Sequence, residues 1–429
     1  MFGFANFLLL ALFAAAVFDL IFALARGGGL RGALHGLWNT PHLLFGQQLA
    51  EWRLQLGRIL FAAGLAAYEI SVVFCNSMAR QNWAWVQGVM SPVLEWLAFL
   101  CFGAKILFGT RYTWRELLAG GALYFIARWV YFNSQNIWWI GIVVAVLAAK
   151  DVPLRRPLQV YFASGCAAMA VVLALHFAGI VAPDLTSERM GALRGTYGYG
   201  HPNTFGGLVF GLVLAYALLR AQKVRWVDCL LVFAIGVFLL VGPASRSAAL
   251  CTLALAVGVV FCRLRAGHSV PRWWPGTCAG MVGLTAAVSY LLPLLVIKVG
   301  PWNNDIGPAW LAKLDSLLTC RISLTWMAYR LLDVKIAGQV FNWPTVDNSF
   351  AFALFQFGPV VAALLGILFA AALWGHAKQG RRVEVCCLFA MLAYAYMEVQ
   401  PFHLTTNPTA LLLCGAVFAQ TSARWQKIE

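Results

Sequence analysis

Charge is scarce in this 429-residue chain. Asp, Glu, Lys and Arg make up 11% of it, and only 16 residues are acidic. That poverty, with a mean hydropathy of +0.77, excludes an ordinary water-soluble domain, which carries about a quarter charged residues. The ten-residue alternation of a membrane barrel is missing, so the backbone has to be satisfied inside helices. No internal repeat, low-complexity tract or separate soluble domain is visible. A DxD pair is absent, which disfavours a nucleotide-sugar enzyme needing a divalent metal, and so are GxSxG, HExxH and P-loop patterns. The 11 cysteines lie mostly in apolar stretches without metal-ligand or disulfide spacing, so their expected job is packing. No cofactor or metal is expected.

Long apolar runs are what the chain has in abundance. About 20 residues cross the hydrocarbon core as a helix, and segments of that kind fall near 2–25, 57–76, 89–106, 117–133, 134–149, 157–182, 203–220, 226–242, 246–262, 278–299, 348–373, 384–399 and 408–422. Residues 2–25 lack a basic leader and a cleavage site and are expected to be retained as a span. The expected fold is an all-α integral membrane protein: one polytopic domain over residues 1–429, a bundle of about 12–13 transmembrane helices, with one long loop at 300–347. Alternating sidedness places 21 of the 31 Lys and Arg residues on one face. By the positive-inside rule that face is cytoplasmic. The net charge of +15 therefore reports topology first, and no nucleic-acid partner is expected.

The basic residues on the opposite face need another reason. They include Arg80, Arg189, Arg194, Arg246, Lys298, Lys313, Arg321, Arg330 and Lys335, most of them in the connections 183–202 and 300–347. In "RGTYGYGHPNTFGG", Pro202 suits the first turn of a helix and His201 the position before it. In "VGPASRSAAL", Ser245 is the expected cap and Arg246 sits in the first turn. A helix N-terminus already carries about half a positive charge, so a cation there is disfavoured unless an anion binds. In "TVDNSFAFAL", Asp347 and Asn348 are both good caps. Upstream, "LDSLLTCRISLTWMAYRLL" has the spacing of one amphipathic helix lying on the outer surface, with Arg321 on its apolar stripe beside Leu314, Leu317, Leu318, Leu324 and Ala328. The three helix mouths with Arg194 and Arg321 suggest an anion site for phosphate or diphosphate. The competing expectations are structural: arginines snorkelling to lipid phosphates, and His201 and Asp347 as simple caps. Within the spans, Glu69, Glu95, Arg128 and His176 are polar, and a Glu95–Arg128 pair is expected. On the last outer connection, Glu398 and His403 are further candidates.

These four stretches resemble, in order and spacing, the motifs of Wzy-type polysaccharide polymerases, in the superfamily that also holds the O-antigen ligases. The resemblance covers about residues 185–375. It implies a GT-C-like, metal-independent membrane glycosyltransferase of the bacterial cytoplasmic membrane, with its site facing the extracytoplasmic side and the long loop on that face. The implied reaction transfers a growing glycan between undecaprenyl-diphosphate-linked oligosaccharides, donor and acceptor, in capsule, exopolysaccharide or O-antigen synthesis. Partners would be the lipid bilayer, chain-length regulators and flippases. By motif position the resemblance makes Arg194, Arg246 and Arg321 diphosphate-binding arginines; with the reading of the residues above, the candidate catalytic residues are His201, Asp347, Arg246 and Arg321, and the candidate substrate-binding residues Arg194, Arg189, Asn203, Ser245 and Asn348. Where the ligases carry a histidine near the third mouth, this chain has Asp347 and Asn348, which leaves the base open between His201 and Asp347, with His201 favoured slightly. A ligase passing the glycan to another acceptor, a flippase and, on His176, a membrane acyltransferase are the alternatives.

Overall fold

The computed structural model describes residues 2–26, 29–181, 187–189, 192–297 and 307–418, with no side-chain description at 2, 187–189, 192 and 193. Along the chain these residues form α1 (Phe2–Ala25), α2 (Gly29–Asn39), β1 (His42–Leu43), α3 (Ala50–Cys75), α4 (Ala79–Asn82), α5 (Ser91–Phe108), β2 (Arg111–Tyr112), α6 (Trp114–Ser134), α7 (Ile137–Ala148) and α8 (Arg155–Phe177). A hairpin of β3 (Ser187–Arg189) and β4 (Ala192–Arg194) follows. Then come α9 (Pro202–Arg220), α10 (Trp226–Val241), α11 (Arg246–Leu264), α12 (Trp274–Leu291), α13 (Ala309–Leu317), α14 (Arg321–Leu331), α15 (Ser349–Phe352), α16 (Pro359–Lys378), α17 (Arg382–Met397) and α18 (Cys414–Val417). Among the described residues, eight helices are long and apolar enough to cross a membrane, and three more apolar helices are shorter. The chain is an all-α polytopic membrane protein.

The chain divides into two compact units, residues 1–128 with 140–208 and the segment from 410, and residues 129–139 with 209–409. In the first unit α3 packs on α5 and α8. The seam is tight: a Cβ on Gly57 would lie 2.8 Å from the Gly109 backbone, and small residues are what let membrane helices approach this closely. At one end of the unit, basic residues expected to report sidedness also hold structure together. Lys105, 1% exposed, donates to Thr110 Oγ1 at 2.7 Å and to the Lys150 carbonyl. Lys150 pairs with Glu116 at 3.2 Å and Asp151 at 3.5 Å. Arg128 donates from Nε to Asn6 Oδ1 at 2.7 Å, a partner other than the expected Glu95.

Near the β1 turn, His42 Nε2 lies 3.4 Å from Asp19 Oδ2. Burial pulls the His42 pKa down, but Asp19 and the Thr40 carbonyl outweigh it, and the net direction is upward from 6.5. A raised imidazolium pKa means the pair stabilises the fold fully below pH 6.5 and loses that contribution as pH climbs through the lifted value. His42→Gln should therefore lower the thermal midpoint in detergent more at pH 6 than at pH 8.5. An equal difference at both pH values would show the pair to be inert.

In the second unit α11 packs on α10 and α17, and α12 on α16. Phe210, Leu239, Leu255, Met391 and Tyr394 fill the core. Asp228, in the first turn of α10, accepts from Tyr216 Oη at 2.6 Å and from Arg220 Nε at 3.2 Å, closing the α9–α10 turn with a carboxylate where a helix N-terminus favours one.

Two expectations need correction. The single amphipathic helix is two helices, α13 and α14, broken at Thr319 and Cys320, whose φ values of 56° and 66° are left-handed. Asp315 explains the break: its Oδ1 accepts the N–H of Ile322 at 2.8 Å and of Ser323 at 3.2 Å, and its Oδ2 accepts Ser323 Oγ at 2.8 Å. A fully buried carboxylate six residues upstream thus caps α14 while the chain turns between. The span expected to open at 348 is likewise interrupted. It begins as α15, passes through a π turn at Ala353–Phe357, and breaks at Gly358 before α16. Gly358 has φ 89°, and a Cβ there would sit 2.1 Å from the Ile336 carbonyl, so only glycine permits this break.

Candidate functional site

Each expected mouth is built differently. In the first unit the Gly198 carbonyl accepts Met78 N–H at 2.8 Å, and Tyr199 bridges to Ser77, so the tyrosine-glycine stretch docks just past α3. Behind it, Arg194, 7% exposed, donates from Nη2 to Asn203 Oδ1 at 2.9 Å, in the first turn of α9. His201 is exposed, and its Nδ1 accepts the Asn203 N–H at 3.1 Å. A neutral imidazole has one acceptor nitrogen. Nδ1 is thus the acceptor that holds the start of α9. The capping role expected of His201 is therefore present. Arg194, His201 and Asn203 do come together. Arg189 lies in β3, but its side chain is outside the described residues.

In the second unit Ser245 takes the cap position of α11, yet its hydroxyl makes no capping bond, because its backbone (φ −82°, ψ 81°) departs from the extended geometry of a capping serine. Arg246 follows as the first residue of α11. It is exposed, and no acidic residue shares that turn. Asn348, 3% exposed, caps α15 as expected: its Oδ1 accepts Phe350 N–H at 2.9 Å and Ala351 N–H at 3.1 Å, while Nδ2 donates to Ser289 Oγ at 3.1 Å. Asp347 is thereby displaced from the capping role expected of it. It stands one residue earlier, half-buried, with no hydrogen-bond donor to its carboxylate among the described residues. Asn348→Ala should cost about 1 kcal/mol, the usual worth of an N-cap, read as a lowered unfolding midpoint; an unchanged midpoint would show that Ser349 and its neighbours hold the turn without it.

Arg321 is the centre of this arrangement. Its Nη2 donates to Glu398 Oε1 at 2.6 Å and to Ser247 Oγ at 3.2 Å. Its Nη1 donates to the Leu318 carbonyl at 2.8 Å and to Thr319 Oγ1, and its Nε to the Met397 carbonyl. All five guanidinium N–H groups are used, and both ions of the pair are under 10% exposed. The need for a partner on the apolar stripe was evident in the sequence, but the partner is a protein carboxylate, which leaves Arg321 no free donor for a ligand. Ser349 Oγ donates to the Glu398 carbonyl at 2.5 Å, and the charge of Asp347 acts on Glu398. The starts of α11, α14 and α15 and the end of α17 therefore meet at one salt-bridged knot, with Arg246 exposed beside it. The His403 ring lies tilted against Trp138, with ring centroids 3.7 Å apart, and burial drives its pKa down, so it is neutral at pH 7.

No family model, no curated protein and no solved structure matches the chain.

Proposed function

We propose that the chain is a metal-independent membrane glycosyltransferase of the polysaccharide-polymerase kind, acting on oligosaccharides carried by a polyprenyl diphosphate. The reading takes the bundle as GT-C-like, with about 12–13 spans and the site on the extracytoplasmic side of a bacterial cytoplasmic membrane. One observation carries it: an exposed arginine opening α11 with no acidic residue in its turn. A guanidinium at a helix start, where the dipole is positive, favours a phosphate anion. The order of the four motifs supports the same reading.

In this mechanism the acceptor hydroxyl oxygen attacks the anomeric carbon of the donor glycan, and the bond from that carbon to the diphosphate oxygen breaks. Negative charge gathers on the departing diphosphate, where Arg246 and the α11 amides stabilise it. The hydroxyl proton passes to a carboxylate. Asp347 suits that role better than His201, because the His201 Nδ1 accepts from Asn203 and Asp347 has no donor among the described residues. Arg321 and Glu398 are positioning residues that hold the helix starts together.

The test is reconstitution. The purified full chain, in lipid nanodiscs with EDTA, is supplied with a synthetic polyprenyl-diphosphate-linked repeat unit, and products are resolved by length. A ladder of multiples is expected. Unaltered single units, from protein that unfolds cooperatively on heating, would overturn the assignment.

A further inference from the structure

All 11 cysteines of the chain are free thiols. Two of them, 124 residues apart in sequence, meet in the second unit: Cys262 near the end of α11 and Cys386 near the start of α17, with their sulfurs 3.5 Å apart. The helix surfaces are built for this contact. Gly258, one turn before Cys262 on the same face of α11, leaves the space that the Cys386 side chain fills. A Cβ on Gly258 would lie 3.0 Å from the Cys386 sulfur and 3.2 Å from its Cβ. Arg382, one turn before Cys386, donates to the carbonyls of Arg265, His268 and Ser269, which pins the start of α17 to the chain leaving α11. At their other ends the same two helices are joined through Arg321, which donates to Ser247 on α11 and to Glu398 just past α17.

Two thiols held this way can share a metal or exchange electrons. The usual thiolate-bound metals, zinc and iron, take three or four ligands, and among the described residues no group of three or more His, Cys, Asp or Glu side chains could hold a metal ion. Electron exchange fits better. Disulfide sulfurs are about 2.05 Å apart, so the pair has to close by about 1.5 Å, a shift of the size that side-chain rotation gives. Cys262 is 7% exposed and Cys386 half-buried, so the oxidant has to be small. On the sidedness read from the charges these helix ends face the cytoplasm, where disulfides are usually transient.

We propose that Cys262 and Cys386 are a reversible redox site, oxidised to a disulfide by hydrogen peroxide. One thiol sulfur attacks a peroxide oxygen, the S–O bond forms as the O–O bond breaks, and the departing oxygen leaves as water with the thiol proton. The second sulfur then attacks the sulfenic sulfur, the S–S bond forms as the S–O bond breaks, and the hydroxide leaves as water with the second thiol proton. The two thiols together lose two electrons and the peroxide gains them. Either sulfur can donate to the other, so the balance is the same whichever attacks first. The bond staples α11 to α17 at the end opposite the Arg321–Glu398 pair. A cross-link between residues so far apart restricts the unfolded chain, so the oxidised protein should better resist heat.

The full-length protein in lipid nanodiscs, reduced and then freed of reductant, is exposed to hydrogen peroxide, quenched with N-ethylmaleimide and digested for mass spectrometry. A Cys262–Cys386 cross-linked peptide is expected, formed about tenfold faster than Cys251, 1% exposed, is oxidised. Dithiothreitol should restore both thiols. The oxidised wild-type protein should unfold at a higher temperature than the reduced one, and Cys262→Ala or Cys386→Ala should abolish that rise while leaving a sulfenic acid on the remaining thiol, trapped by dimedone. Loss of the two thiols no faster than Cys251, or sulfinic acids at both positions without the cross-link, would overturn the proposal. The wild-type measurement decides alone where a variant does not fold. No polymer product is read, so the result stands apart from the glycosyltransferase reading.

Discussion

Arg246→Ala should leave the protein folded and slow polymer formation about 100- to 1,000-fold, the usual effect of removing one group that stabilises developing negative charge. Stability is expected to change little, because the side chain is exposed and such surface changes stay within about 0.5 kcal/mol. The rate effect comes from position. At the first residue of α11 the guanidinium stands at the positive end of the helix, and in the proposed reaction it gains most as charge moves onto the diphosphate. An interaction of that kind lowers kcat and kcat/KM together, whereas plain substrate binding raises KM alone. Arg246→Lys should recover only part of the activity, since an ammonium keeps the charge but loses the planar two-point contact with phosphate oxygens. Reaction rates per folded molecule, with folding checked by the unfolding midpoint, decide it. A wild-type product ladder from Arg246→Ala protein would remove the basis of the proposed function.

The sequence revealed the membrane class and helix positions through hydrophobic runs, because lipid imposes one length and one composition on every crossing. It also revealed the Asn348 cap, a local signal a few residues long. The two helix breaks were harder. The apolar stripe runs on through Thr319 and Cys320 as if the helix did too, and the residue that ends it, Asp315, acts from six positions upstream. At Gly358 the glycine-proline pair was present, but the apolar residues on both sides concealed it. The Arg321 partner was beyond reach for a different reason: Glu398 is 77 residues away, and long-range ion pairs leave no periodic trace. Residue type alone could not show that the His201 Nδ1 accepts the Asn203 N–H.

Glu398→Ala should be the most destabilising single change at this knot, costing about 3–5 kcal/mol, the range for removing one member of a buried ion pair. The cost has two parts. Arg321, 7% exposed, keeps its charge but loses its carboxylate partner, and Ser247 loses its hydrogen bond with the Glu398 side chain at the end of α17. Glu398→Gln keeps the volume and one acceptor and should recover about half of the loss. The double change Arg321→Met with Glu398→Leu removes both charges at similar volume. Because the desolvation of two ions largely offsets their attraction, it is expected to approach wild-type stability more closely than either single change. It also separates architecture from chemistry. If Arg321 and Glu398 only position α11, α14 and α17, the double variant should regain polymer formation along with its unfolding midpoint. If midpoint returns and activity does not, one of the pair touches substrate and the positioning role assigned here is wrong. Thermal unfolding in detergent and product ladders from the same four preparations give both readings.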